Sequence, residues 1–389
     1  MTDDAIYLDH AATTPAAPEA IAAMSEMQER CFGNPSSSHR FGRTARQRLD
    51  DAREFLRGSV GAAQLVLTSG GTEADLLGVA GAAWARPPGR VLAAASDHAA
   101  VLALRPLLAA RRHELVELPV TDHGDVAPET LFHHLGPDVR VVSILFGHNE
   151  LGTLPQLDEL VELVRRVAPD AHLHVDLVQA YGKVDFDLDL AGVDSVAVSG
   201  HKLRGPRGVG FLALSSKAQI TPLQPGGGQE GGLRGGTENV AGAVGLATAA
   251  EWMLTHLAHH AAHTDALAAF AFDELAHAFQ DAQRLGHPQR RLPHVLSMRI
   301  PGVVGQTLQH RCDERGVAFS TGAACHTGHE GENHVLRAIR LDKRAAREVI
   351  RLSFGPTTTR DEVRRATAII TDEAEHLLDL APRRARETP

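Results

Sequence analysis

Val196-Ala197-Val198-Ser199-Gly200-His201-Lys202-Leu203-Arg204 is an apolar, strand-like run that delivers a lysine directly behind a Ser-Gly-His turn. At the end of a buried strand, partial burial or neighbouring positive character lowers a lysine pKa until its amine can hold an aldehyde covalently. Ser199 and His201 beside it are hydrogen-bonding partners for a phosphate. Pyridoxal 5'-phosphate, with one aldehyde and one phosphate, answers both features. Taken alone, the run also reads as a solvated lysine at a strand end.

Outward from this run, residues 60 to 215 alternate short β-rich segments with helical patterns. Leu65-Val66-Leu67, Val91-Leu92-Ala93, Val141 to Leu145, Leu173-His174-Val175 and Val196-Ala197-Val198 read as buried strands. Between two of them, Leu157, Leu160, Val161 and Val164 recur at amphipathic-helix spacing behind Pro155. The expected class is α/β around a largely parallel sheet, in which ligands bind beyond the carboxyl ends of strands. Those ends carry Thr68-Ser69-Gly70-Gly71-Thr72-Glu73, Ser96-Asp97-His98, Phe146-Gly147-His148-Asn149-Glu150 and Asp176. With the lysine turn, five strand ends converge on one polar site.

Each of these residues has a functional and a plain reading. Ser69-Gly70-Gly71-Thr72 opens a helix and offers free N–H groups and a helix dipole to an anion, although many such turns bind nothing. Asp176 can face a protonated pyridine nitrogen or cap the next helix. Gln179 can reach a phenolic oxygen on the same ring or face solvent. His98 can stack on the ring and move protons, or be a satisfied hydrogen-bonding residue.

The 389 residues are too many for one ordinary core, so two domains are expected, with a boundary near 250. Residues 240 to 285 are alanine-rich and helical, and a second α/β pattern begins at Val295-Leu296-Ser297-Met298. Thr359-Arg360-Asp361-Glu362 is a capping box for a last helix with Val363, Thr367, Ile370, Ala374 and Leu377 on its apolar face. The tail from Pro382 to Pro389 reads as disordered.

With 39 Lys and Arg against 48 Asp and Glu, the net charge is −9, and no long basic run marks a nucleic-acid or membrane partner. No apolar stretch approaches the roughly 18 residues of a spanning helix, and Met1-Thr2-Asp3-Asp4 has no basic leader. Three cysteines, Cys31, Cys312 and Cys325, form no disulfide framework, so a cytoplasmic location fits. The 23 histidines imply a strong charge shift between pH 7 and 5. His256, His259, His260 and His263 invite a metal, but a solvated histidine face is the expectation.

Gly226 to Asn239 resembles a flexible linker in glycine content, yet Gln229, Arg234 and Thr237 among the glycines point to a loop packed against a ligand or a second subunit. Cys325 lies in the small-residue loop Ser320-Thr321-Gly322-Ala323-Ala324-Cys325-His326-Thr327-Gly328-His329, where a histidine can raise its thiolate fraction. A metal site from Cys325, His326, His329 and His334 competes, although the spacing matches no common zinc pattern.

Together with Tyr7-Leu8-Asp9-His10-Ala11-Ala12-Thr13-Thr14-Pro15 and Gly33-Asn34-Pro35-Ser36-Ser37, these motifs closely resemble the cysteine desulfurases of the class V aminotransferase family, over about residues 6 to 365. The resemblance implies the type I pyridoxal-phosphate fold, an α/β large domain with a mostly parallel seven-stranded sheet plus a smaller α/β domain, in a homodimer. Residues 15–250 would form the large domain, and 1–14 with 251–381 the small one carrying the cysteine loop. It implies that Lys202 holds the cofactor, with Asp176 at the pyridine nitrogen, Gln179 near the ring oxygen and His98 over the ring. Gly71, Thr72, Ser199 and His201 would bind the phosphate, and Thr237 the partner subunit's phosphate. Asn149 and Arg351 would hold the carboxylate of L-cysteine, Lys202 would move the α-proton, and Cys325 would take the sulfur as a persulfide for an acceptor protein. Departures from the pattern are His148 before Asn149, Asp75 and Leu177. The stretch Gly322-Ala323-Ala324-Cys325-His326 is also similar to selenocysteine lyases, which would act on L-selenocysteine. A non-catalytic scaffold that binds sulfur acceptors is the remaining alternative.

Overall fold

A computed structural model describes residues 5–185, 192–321 and 333–380. Thirteen strands are present among them: β1 Ile6–Tyr7, β2 Gln64–Thr68, β3 Arg90–Ala94, β4 Glu114–Leu118, β5 Val139–Leu145, β6 His172–Asp176, β7 Ser195–Ser199, β8 Gly210–Leu214, β9 Gln283–Arg284, β10 Val295–Arg299, β11 Val317–Ala318, β12 Ser320–Thr321 and β13 Val349–Ser353. Seven form the main sheet in the order β2-β8-β7-β6-β5-β3-β4. All run parallel except β8, which is antiparallel to both β7 and β2. Every residue of β6, β7 and β8 is buried, as expected of central strands covered by helices on both faces.

The five strands read from the sequence lie within β2, β3, β5, β6 and β7, and the helix behind Pro155 is Leu157–Val167. Two main-sheet strands were missed. β4 is an edge strand whose exposed Glu114 and Glu117 interrupt its apolar run, and β8 is a short Gly-Phe-Leu-Ala-Leu segment without flanking alternation. A second sheet, β12-β13-β10-β9, is wholly antiparallel and packs on the helices Leu257–Ala278 and Arg360–Leu380. Its core holds Leu296, Met298, Ile350 and Leu352 with Ile6 and Leu8, so the N-terminal residues belong to the same apolar cluster as the C-terminal ones.

The capping box forms as expected: Thr359 N–H donates to Glu362 Oε2 at 2.7 Å, and Glu362 N–H donates to Thr359 Oγ1 at 3.1 Å. The alanine-rich region is not one helix. It breaks at His256 between Val240–Thr255 and Leu257–Ala278. The expectation of a solvated histidine face holds for exposed His256 and His259 but not for the other two: His260 is buried with its Nε2 2.8 Å from Met253 O, and His263 Nε2 lies 2.8 Å from Thr358 O. These rings serve the junction between the two helices and the second sheet. Cys31 and Cys312 are buried thiols, and burial pushes Cys312 up to about 12, which makes it inert. No described helix is long and apolar enough to cross a membrane.

Candidate active site

The lysine turn is built by its glycines. Beyond β7 the chain makes a short 3-10 turn, Gly200–Lys202, and returns through Arg204, which adopts a left-handed conformation at φ 63°. A Cβ on Gly205 would lie 2.8 Å from the Gly200 carbonyl oxygen, so the two passes of chain approach too closely for a side chain. The N-terminal segment lies across this turn. Thr14 donates its N–H (2.9 Å) and Oγ1 (2.8 Å) to His201 O and accepts the Arg204 N–H at 2.8 Å.

Lys202 Nζ donates to Ala11 O at 2.7 Å and to Ala12 O at 2.6 Å. Burial, and next the positive charge of Arg351, lower its pKa to about 8. The amine is therefore poised between charged and nucleophilic forms near neutral pH.

Around Lys202 the strand ends supply carboxylates. Asp176, closing β6, accepts the Val178 N–H at 2.7 Å, and burial with the neighbouring Asp75 raises its pKa to about 8. Asp75 is itself raised to about 8 by burial, and its Oδ1 is 3.2 Å from His174 Nε2. Asp97 is raised well above the usual carboxylate range by burial and by Asp176. Its Oδ1 accepts the His98 N–H at 2.7 Å, while its buried Oδ2 has no partner. A buried carboxylate prefers its proton, and a cationic ring nitrogen docked here would reverse that preference. His174 fits under this cluster because the helix above has glycine at 78, where a Cβ would lie 2.5 Å from the imidazole.

The anion turn also forms. Gly70, at φ 153°, and Gly71 lead into the helix Gly71–Asp75, and a Cβ on Gly71 would strike Val178 at 2.7 Å and approach Ser199 at 3.5 Å. Glu73 braces the turn: Oε2 accepts the Ser69 N–H at 2.6 Å, and Oε1 accepts from Arg234 Nε at 2.9 Å. Through Arg234 the glycine-rich loop is tied to this turn. Buried Glu230 ties it further, accepting from Arg53 at 2.9 Å and from the Leu67 N–H at 3.0 Å. The loop is thus ordered by its charges, against the linker reading.

The remaining residues divide. Gln179 is buried, and its Nε2 donates to Ala11 O at 2.8 Å, the carbonyl that also receives Lys202. His98 caps the helix Ala99–Leu102, its Nδ1 accepting the Ala100 N–H at 3.2 Å. His201 Nδ1 is 3.1 Å from Thr13 Oγ1, and burial and Lys202 lower the ring to about 4, so it is neutral. Asn149 meets Arg351 through its backbone carbonyl (3.0 Å), and Arg351 Nη2 pairs with Asp9 Oδ1 at 2.8 Å. Beneath Asn149, His148 shapes the turn: its Nδ1 accepts the N–H groups of Glu150 (3.1 Å) and Leu151 (3.3 Å), so its Nε2 donates to Ser96 O at 3.0 Å. Thr72 and Thr237 are exposed, and Thr237 lines a separate surface cleft with Cys31, Asn34 and Asn239.

Cys325, His326 and His329 lie outside the described residues, as does the tail. The ends of that segment are placed. Thr321 pairs with Ile350 beside Arg351, and His334 Nε2 is 2.9 Å from Asp97 O. Sequence reasoning missed Asp9 and Lys183. Asp9 sits within the quoted Tyr7–Pro15 motif, but its partner is 342 residues away. Lys183 gave no signal beyond being a lysine after a glycine.

The donor set fits pyridoxal phosphate: a buried amine of lowered pKa, a buried carboxylate, and a glycine turn opening a helix. Sequence comparison agrees. The profile of the family described as Aminotransferase class-V matches residues 6–366, and the chain belongs to that family. It is 35% identical to the cysteine desulfurase NifS of Azotobacter vinelandii over 97% of this chain and 94% of the relative. Among solved structures, a NifS-like protein superposes with a TM-score of 0.89 at 30% identity, covering 96% of this chain and all of that one. SspA in complex with cysteine superposes with a TM-score of 0.79 at 27% identity, covering 91% and 100%.

Proposed function

We infer that this protein is a pyridoxal-phosphate-dependent cysteine desulfurase that converts L-cysteine to L-alanine and passes the sulfur to Cys325. The observation that carries this reading is that Lys202, closing the turn after β7, feels the charges of both Arg351 and Asp176. The segment bearing Cys325 leaves from Thr321, whose backbone pairs next to Arg351.

When bound, the cofactor holds the substrate amine and withdraws electrons from its carbon skeleton. Lys202 would hold the cofactor, and its Nζ, of lowered pKa, would move the substrate α-proton. Asp176 would keep the ring nitrogen protonated, and Gln179 and His98 would meet the ring. Gly71, Thr72, Ser199 and His201 hold the phosphate, the first two through the start of their helix. Arg351 and Asn149 take the substrate carboxylate, for which Asp9 Oδ1 already marks a carboxylate position. The Cys325 thiolate attacks the substrate sulfur, whose bond to carbon breaks with its electron pair staying on carbon, and a persulfide remains.

The reading extends to a cytoplasmic homodimer in which the exposed Thr237 reaches the partner's phosphate, with 15–250 as the large lobe and 1–14 plus 251–381 as the small one. A sulfur-acceptor protein receives the persulfide. Incubation with L-cysteine and reductant should release alanine and sulfide in equal amounts, and absence of both would sink the proposal. Mass spectrometry of Cys325 after turnover should find one added sulfur. Release of selenium from L-selenocysteine that survives Cys325→Ala, without desulfuration of cysteine, would instead mark a selenocysteine lyase.

A further inference from the structure

Lys183 is a fully interior amine that the reaction described above does not use. It follows Gln179 by four residues, across a turn in which Gly182 is left-handed at φ 69°, and its Nζ donates to Gln179 Oε1 at 3.3 Å and lies 3.4 Å from His294 Nε2. Among the described residues no carboxylate pairs with it. Burial, and then the charge of Lys202, hold it well below the usual lysine range. A buried amine without a counter-charge avoids the cost of a desolvated charge by giving up its proton. A surface lysine or an ion pair would be cheaper, so the position calls for a donor here.

The Gln179 amide lies between two partners of opposite kind. On one side Lys183 Nζ donates to the Gln179 oxygen at 3.3 Å. On the other, Ala11 O can only accept, which demands the Gln179 NH2, and the distance is 2.8 Å. One amide orientation satisfies both. His294 Nε2, 3.4 Å from Gln179 Oε1, closes the triangle. Without Lys183 the buried oxygen is left with only His294 Nε2, at 3.4 Å, and the amide can turn.

We propose that Lys183 is a positioning residue that locks the Gln179 side chain with its NH2 toward Ala11 and Lys202, so that Gln179 meets the cofactor as a hydrogen-bond donor. A donor stabilises negative charge on a phenolic oxygen, whereas an inverted amide would repel it. This inference rests on the proposed cofactor only in its last clause, because the lock itself exists in the protein alone.

The test therefore has two arms. In protein without cofactor, labelled at glutamine nitrogen, the Gln179 side-chain amide is assigned by its loss in Gln179→Ala, and its hydrogen exchange is followed by NMR. Lys183→Met should exchange at least about tenfold faster than wild type, the loss expected for one hydrogen bond to a buried group. Lys183→Gln, which keeps a donor, should stay near wild type and serves if the methionine variant does not fold. Equal exchange in wild type and Lys183→Met, or fast exchange in Lys183→Gln, overturns the proposal. The second arm measures the dissociation constant of pyridoxal phosphate. Lys183→Met and Gln179→Ala should each weaken binding about tenfold, and the double variant no further. Additive losses overturn the proposal. A wild-type protein that takes up no cofactor would defeat the functional reading while the exchange arm still decides the lock.

Discussion

A lysine amine with a pKa of about 8 has a direct kinetic consequence. Below that pH it is mostly protonated and cannot attack an aldehyde; above it the amine is neutral and the rate no longer depends on its proton. Uptake of pyridoxal phosphate by the cofactor-free protein, followed by absorbance, should rise with pH and level off above about pH 8. Lys202→Ala should abolish the visible band. The guanidinium of Arg351 is a planar donor already engaged by Asn149 O and Asp9. Arg351→Lys keeps the charge and loses the paired geometry. Its kcat/KM for L-cysteine should fall by about tenfold to a hundredfold, mainly through KM, since a hydrogen bond to a charged group is worth about 1.5–3 kcal/mol.

Among the elements, helix termini give the cleanest mutational test. Thr359→Ala removes the hydroxyl that accepts the Glu362 N–H and should lower stability by about 1 kcal/mol in urea unfolding, leaving the cofactor spectrum unchanged. That cap was legible because its partners are three residues apart. The strand ends bearing His98, Asn149, Asp176 and Lys202 were legible for a related reason, since each follows a run apolar enough to be central. What escaped depends on distant partners or on burial. Asp9 has its partner 342 residues away, and Lys183 is an ionisable residue at an interior position, whereas composition assigns such residues to the surface. The break at His256 was hidden because alanine-rich sequence favours helix on both sides, and Trp252, whose ring stacks near His260 at 6.1 Å, packs the junction instead.

For the whole molecule, the histidine count misleads. Buried His10, His148, His172, His174 and His294 are all held below the usual imidazole range, chiefly by burial, as is half-buried His201. Proton uptake between pH 7 and 5, measured by potentiometric titration, should thus fall short of what 23 free imidazoles would take. The sign for stability follows from the same shifts. The unfolded chain binds these protons near pH 6.5 and the folded one only nearer 4 or below, so stability is full above pH 6.5 and is lost as pH falls. Urea midpoints should be lower at pH 5 than at pH 7.

The strap formed by residues 6–14 also sets an order of assembly. Thr14 can bond the turn at His201 and Arg204 early, but Ile6 and Tyr7 pair with Val317 and Ala318, and Asp9 with Arg351, so that end of the strap has no seat until residues 317–351 have been made. At about 5–20 residues per second, the main sheet has many seconds to fold before the strap can close over Lys202. A chain shortened before Val317 can build its main sheet and its lysine turn, yet it lacks the partners that hold residues 6–9, and the strap carrying the Ala11 and Ala12 carbonyls is pinned at one end only.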